Sequence, residues 1–257
     1  MKIKTITTII TVTTVTILLP LMGLAQLDFD LNNLFDIETA PDITITNLEL
    51  IWSSDTYVPY EYTGRALPSP GSKITVEAIV NAIGNTFNLK YSWFLEDIFQ
   101  RTKSGYGKDS FSFYVNQRTN AYHTVKLQIF NEERTVFQEK SIKIPIVEPE
   151  VAIYSSNGSS YFSDQAIKVS TILSDKKFSF ITKPYFFSIK KLTDLTFEWH
   201  FANQEPIISS TYNANVLDLT ITEKTDKEIS ENNLWVNITN KINSRQKVSQ
   251  MIKVQIY

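Results

Sequence analysis

The sequence predicts an all-β chain of two tandem β-sandwiches behind an N-terminal signal peptide. Three observations carry this. One strand pattern occurs twice, about a hundred residues apart. Alternation of apolar and polar residues at period two dominates from Ile43 onward. A charged start and an uncharged run with small residues at its end open the chain.

The repeated pattern reads Leu89-Lys90-Tyr91-Ser92-Trp93, then Phe111, Phe113 and Val115. It returns as Leu195-Thr196-Phe197-Glu198-Trp199, then Leu217, Leu219 and Ile221. The later apolar residues stand 18, 20 and 22 positions past each tryptophan. Alternating runs surround both copies. Ile74, Val76 and Ala78 alternate with polar neighbours, as do Val125, Leu127 and Ile129, then Ile142, Ile144 and Ile146. The second copy answers with Leu234, Val236 and Ile238, then Ile252, Val254 and Ile256. Each run has one apolar face, as a sheet packed on one side requires. Asn131 and Asn240 match, two residues past Ile129 and Ile238. Phe178 to Pro184 aligns with Ile74 to Val80 only if the register slips. The polar stretch Lys224–Asn233 is the natural place for a longer loop in the second copy.

These signals divide the chain. Residues 1–25 form the signal peptide, with Lys2 and Lys4 before the run Thr5 to Leu24 and cleavage expected after Ala25. The rival is an uncleaved anchor, which needs about 20 mostly apolar residues; seven threonines interrupt this run. Residues 26–42 are an acidic spacer, with Asp28, Asp30, Asp36, Glu38 and Asp42 and no Lys or Arg. The first sandwich is expected over 43–147 and the second over 148–257. Pro145 and Pro149 flank the boundary, and the linker is too short to be a flexible coil. Because proline donates no ladder bond, Pro145 reads as an edge strand or a strand end.

Composition narrows the function. With 42% hydrophobic and 20% charged residues the chain is globular rather than disordered. A net charge of −2 without a long block of one sign leaves no footprint for nucleic acid. There is no cysteine, which removes disulfides, thiol catalysis and Cys-based zinc sites together. An exported chain of this kind must hold itself by core burial, as domains of roughly 100 residues do. Abundant Ile, Asn, Lys and Thr suit a bacterial origin. The expected place is outside the cell or on the outer face of its envelope, with membrane attachment only through an uncleaved signal segment.

The tryptophan motifs Tyr91-Ser92-Trp93 and Phe197-Glu198-Trp199 resemble the core strand of immunoglobulin-like and PKD-like domains. The stretch Tyr122 to Ile129 is similar to the strand that closes a PKD domain. The acidic Gly-Asp-Gly turn of that family is absent, since Phe94-Leu95-Glu96-Asp97 and His200-Phe201-Ala202-Asn203 follow the tryptophans. The block Trp52 to Pro70 resembles the opening strand of uncharacterised secreted proteins from small-genome bacteria, a resemblance that brings no activity with it.

Site candidates are few. Trp93, Trp199, Tyr91 and Phe197 read as core anchors, since so large an aromatic buries about 150–250 Å². Tyr57, Tyr60 and Tyr62, with Pro59, admit two readings. They stack on sugar rings or meet a protein partner, or they cover a strand that prolines break at the sheet edge. His123 and His200 lie in different repeats and read as surface residues at sheet ends, so no triad or zinc site is expected. Glu96 and Asp97 read as loop charges. Glu148 and Glu150 at the linker are too few for calcium, which takes about six to eight oxygens. Asn157-Gly158-Ser159 and Asn237-Ile238-Thr239 match the glycosylation pattern and read as chance. No cofactor is expected. The function that follows is an exported, non-enzymatic structural spacer or protein-interaction module, or alternatively a carbohydrate-binding module; the partner is an unknown protein or a surface glycan.

Overall fold

The computed structural model describes residues 43–116, 121–156, 161–173, 176–209, 213–221 and 229–257. The signal peptide, the acidic spacer, the Asn157 sequon and the first part of the Lys224–Asn233 loop lie outside these. The described residues all belong to one compact unit, 40–257. They contain no α-helix, and no helix long and apolar enough to cross a membrane.

The chain is all-β, in two sandwiches. In the first, β1 (Thr44–Ser54), β2 (Lys73–Ile83) and β6 (Ser110–Tyr114) form one sheet in the order β1-β2-β6. The facing sheet has the order β4-β3-β7-β8, from β3 (Lys90–Leu95), β4 (Ile98–Phe99), β7 (Tyr122–Phe130) and β8 (Phe137–Pro145). The short β5 (Gly105–Tyr106) adds to β3. All these pairings are antiparallel. The inward residues of both sheets meet in one cluster that includes Ile74, Val76, Tyr91, Trp93, Phe111, Leu127 and Ile144. This is immunoglobulin-like packing of two sheets.

The second sandwich repeats the plan with β9 (Glu150–Ser156), β11 (Lys177–Tyr185) and β14 (Val216–Thr220) in the order β14-β11-β9. Its other sheet runs β10-β16-β15-β12-β13, from β10 (Val169–Ile172), β12 (Leu195–Phe201), β13 (Ile207–Ser209), β15 (Ser230–Asn240) and β16 (Lys247–Ile256). Here the opening strand is split. β9 pairs antiparallel with β11, and β10 crosses to pair parallel with β16. Phe180, Phe187, Phe197, Trp199, Leu234 and Val236 lie in its core.

Equivalent residues do equivalent work. Trp93 and Trp199 are buried, and each indole N–H donates to a backbone carbonyl fifteen residues on: Lys108 at 2.7 Å and Ala214 at 3.0 Å. The ring fills the core while its one polar atom is satisfied. Asn131 and Asn240 are buried at the turns that follow β7 and β15. The Asn131 Oδ1 accepts from the Val136 N–H, and the Asn240 Oδ1 accepts from Ile242 and Asn243. Pro145 ends β8, an edge strand.

Two expectations need correction. The polar stretch before Leu234 is strand from Ser230, because Glu231 and Asn233 pair with Gln255 and Lys253; ladder bonds form without apolar side chains. His123 is buried, not at the surface. It shares strand parity with Val125, Leu127 and Ile129, so the pleat turns it inward. Its Nδ1 lies 3.0 Å from the Glu96 Oε1, and its ring meets Phe113 edge-on. Glu96 and Asp97 form the tight β3–β4 turn with φ of 51° and 62°. This left-handed region is costly for such residues, and each carboxylate is held, Glu96 also by the Thr124 N–H and Asp97 by Lys126.

Candidate functional site

The connection from β1 to β2 runs from Asp55 to Ser72, far beyond the 2–5 residues of a hairpin loop. The block Trp52 to Pro70 is therefore not one opening strand. β1 ends at Ser54, and the prolines that follow cannot donate to a ladder. The segment instead reaches the second sandwich. The Tyr57 N–H donates to the Phe187 carbonyl at 2.7 Å, and the Tyr57 carbonyl accepts from the Phe186 N–H at 2.8 Å, a single antiparallel bridge.

Behind that bridge lies a buried polar hub. Gln246, in the β15–β16 turn, is fully buried. Its Nε2 donates to Ser69 Oγ at 2.7 Å, and its Oε1 accepts from the Ser188 N–H at 2.9 Å and from Asn240 Nδ2 at 2.7 Å. Ser69, also fully buried, donates from Oγ to the Phe186 carbonyl at 2.5 Å. Asn243 Nδ2 donates to the Pro70 carbonyl at 2.9 Å. Unpaired polar groups at such depth would cost about 1–3 kcal/mol each, so the hub is satisfied only when the sandwiches are docked this way. The linker joins in: the Val147 N–H donates to the Pro68 carbonyl at 3.0 Å. Phe186 has φ of 63°, a strained value for a bulky residue. Its N–H bond to the Tyr57 carbonyl and the bond its carbonyl accepts from Ser69 hold it there.

The three tyrosines of this segment part company. Tyr57 is half-buried and packs on the second core. Tyr62 meets Tyr185 edge-on at 5.5 Å and Phe186 at 5.9 Å. Tyr60 stands fully in solvent. Beside Tyr62, the Glu61 carboxylate pairs with the Lys183 ammonium.

A cleft of about 680 Å³ opens next to this joint. Its floor is the outer face of β9 and β11, with Tyr154, Ile181, Lys183 and Tyr185. Glu61, Tyr62 and Thr63 form one wall, and Phe162, Ser163 and Asp164 the other. Lys183 Nζ lies 4.7 Å from the Tyr154 ring centre, and the hydroxyls of Tyr154 and Tyr185 are 3.5 Å apart.

Titration follows from these neighbours. The bond to Lys183, ahead of other causes, holds the Glu61 carboxyl below its ordinary value. Its contribution is present above about pH 4.5 and is lost as pH falls through the lowered value. Acid titration of Glu61→Gln should lack that step. Burial pushes the Tyr185 hydroxyl well up, assisted by its bond to Tyr154, and burial first also raises Tyr57. A raised folded pKa gives stability that is complete below the unfolded value of about 10 and is lost as pH rises through the folded one. Ultraviolet titration of tyrosinate should therefore show ionisation delayed above pH 10 and coupled to loosening of the joint. Tyr185→Phe should remove part of that delay; an unaltered curve would contradict the assignment.

Elsewhere, Tyr91 and Phe197 are buried core residues. His200 is largely covered, its ring stacked on Trp235 at 4.7 Å and its Nε2 3.0 Å from Glu198 Oε1. Among the described residues, no three His, Cys, Asp or Glu side chains are grouped to hold a metal ion. Sequence reasoning missed Ser69, Gln246, Asn240 and Asn243 as joint residues, because isolated polar residues in turns carry no period. It also missed Tyr154, Phe162, Lys183 and Tyr185.

No protein-family model and no curated protein matches the chain. Among solved structures it is similar to three N-terminal domains of the highly immunogenic outer capsid protein (Hoc) of bacteriophage RB49, at 11% identity and a TM-score of 0.44. The match covers 82% of this chain and 59% of that one. An ICAM-5 D1–D4 ectodomain fragment matches at 13% identity and a TM-score of 0.27, over 82% and 54%. Dimeric latent PorU from Porphyromonas gingivalis matches at 8% and 0.24, over 83% and 20%. The chain thus spans less than two thirds of each. Its architecture stands on its own strand registers.

Proposed function

We propose that the chain is an exported, non-enzymatic protein of the cell surface or its surroundings, acting as a spacer and protein-interaction module. The interlocked joint carries this reading. A spacer must fix the orientation of what it presents, and a buried hub that is satisfied in one docking geometry does so. The short linker between Pro145 and Glu150 supports it.

The first sandwich offers a face for a partner. On the outer side of the β3-β7-β8 sheet, cations sit over rings: Lys126 over Phe94 at 5.0 Å, Arg134 over Phe130 at 5.4 Å and Lys143 over Tyr122 at 4.7 Å. Tyr122, Phe137 and Phe99 are about half exposed there. Exposed aromatic rings are part of the compositional mark of protein interfaces.

Two measurements test the proposal. Antibody labelling of intact cells should find the chain at the surface or in the medium, and a cytosolic location would end the export reading. Small-angle scattering should fit one interdomain arrangement. A broad distribution in the unaltered chain would remove the spacer role.

A further inference from the structure

The cleft beside the joint combines features that the spacer role does not use. We propose that it is a binding site for a neutral oligosaccharide. Its rings are Tyr62, Tyr154, Tyr185 and Phe162. A pyranose ring presents C–H groups to an aromatic face and hydroxyls around its rim. Three of these four rings carry hydroxyls of their own, and Thr63 and Ser163 add two more at the walls. Volume and exposure agree. About 680 Å³ falls within the roughly 300–1,000 Å³ of ligand sites, and the cleft is open to solvent, as a chain-like ligand needs.

Charge selects the class. Among the described residues of the lining Lys183 is the one cation, and it is paired with Glu61 while also lying against the Tyr154 ring. Asp164 is the remaining charge. With no cation left over, an anionic glycan finds no counter-charge, and a neutral one is not penalised. Both sandwiches build the walls: Glu61 to Thr63 come from the β1–β2 connection, and the rest from 154–185. The site is complete only while the joint is closed, so an occupant stabilises the joint by mass action. This proposal stands apart from the spacer role, because loss of glycan binding would leave the single arrangement seen by scattering intact.

The test is an array of neutral fragments of glucans, chitin, xylan and mannan, probed with the purified full chain. The best hit is then measured by titration calorimetry. Saturable binding is expected. Tyr154→Ala should weaken it by about ten-fold, as loss of one stacking ring does. Tyr154→Phe, which keeps the ring, should retain most of it, and Tyr60→Ala, outside the cleft, should leave it unchanged. A matched array of proline-rich peptides is the control for aromatic grooves that read extended peptides. No binding to any glycan would overturn the proposal. So would equal binding by Tyr154→Ala, or Tyr154-dependent binding of the peptides alone.

Discussion

Replacing Trp93 by alanine is expected to destabilise the first sandwich by about 3–5 kcal/mol, and Trp199→Ala the second by as much. The ring leaves a cavity among rigid sheet residues that collapse poorly, and the carbonyl of Lys108 or Ala214 loses its donor. Against a domain stability of roughly 5–15 kcal/mol, either change brings its sandwich close to unfolding. Guanidinium denaturation should show a midpoint shift in each mutant, and unchanged midpoints in both would remove the core assignment. Phenylalanine separates the two contributions. It keeps most of the packing while stranding the carbonyl, so Trp93→Phe should cost only about 1–3 kcal/mol.

Gln246→Ala should uncouple the sandwiches without harming either core. The substitution leaves the Ser188 N–H, Asn240 Nδ2 and Ser69 Oγ each short of a partner. Only the Ser69 bond crosses to the first sandwich, so about 1–3 kcal/mol of the loss falls on docking and the rest on the β15–β16 turn. Calorimetry of the unaltered chain should give one dominant transition, and that of Gln246→Ala two. Ser69→Ala removes both bonds that its hydroxyl makes across the joint, to Gln246 and to the Phe186 carbonyl, and should loosen docking at least as much. A single transition at an unchanged temperature in Gln246→Ala would show that the hub does not couple the domains.

The sequence reveals local order and conceals the joint. Tryptophan spacing and strand alternation depend on neighbours a few residues apart or in the adjacent strand, so the two sandwiches are legible. Strand parity also held the position of His123, which alternates in step with Val125; its polarity argued the other way and was the weaker guide. The Tyr57–Phe187 bridge has no such signal. Its partners lie far apart in the chain, and neither belongs to a periodic run. Ser69 and Gln246 look like any polar turn residues until the second sandwich arrives to bury them. The cleft is hidden for the same reason: Tyr62 and Tyr154 share a wall and a floor only after docking. Of the tyrosines that stood out in sequence, Tyr60 alone stays in solvent, and it lies outside the cleft lining.

The split opening strand of the second sandwich has a consequence under tension. β10 runs parallel to β16 from Val169 opposite Lys253 to Ile172 opposite Ile256. When the chain is pulled from opposite ends, these two strands slide along each other, and their hydrogen bonds share the load instead of opening one after another. Bonds from Lys253 to Lys168 and from Tyr257 to Ile172 clasp the two ends of that pair. Among the described residues the first sandwich has no parallel strand of this kind; its β1 pairs with β2 alone. Stretched from its ends, the molecule has a weaker half and a stronger one, and the first sandwich would yield while the second still held.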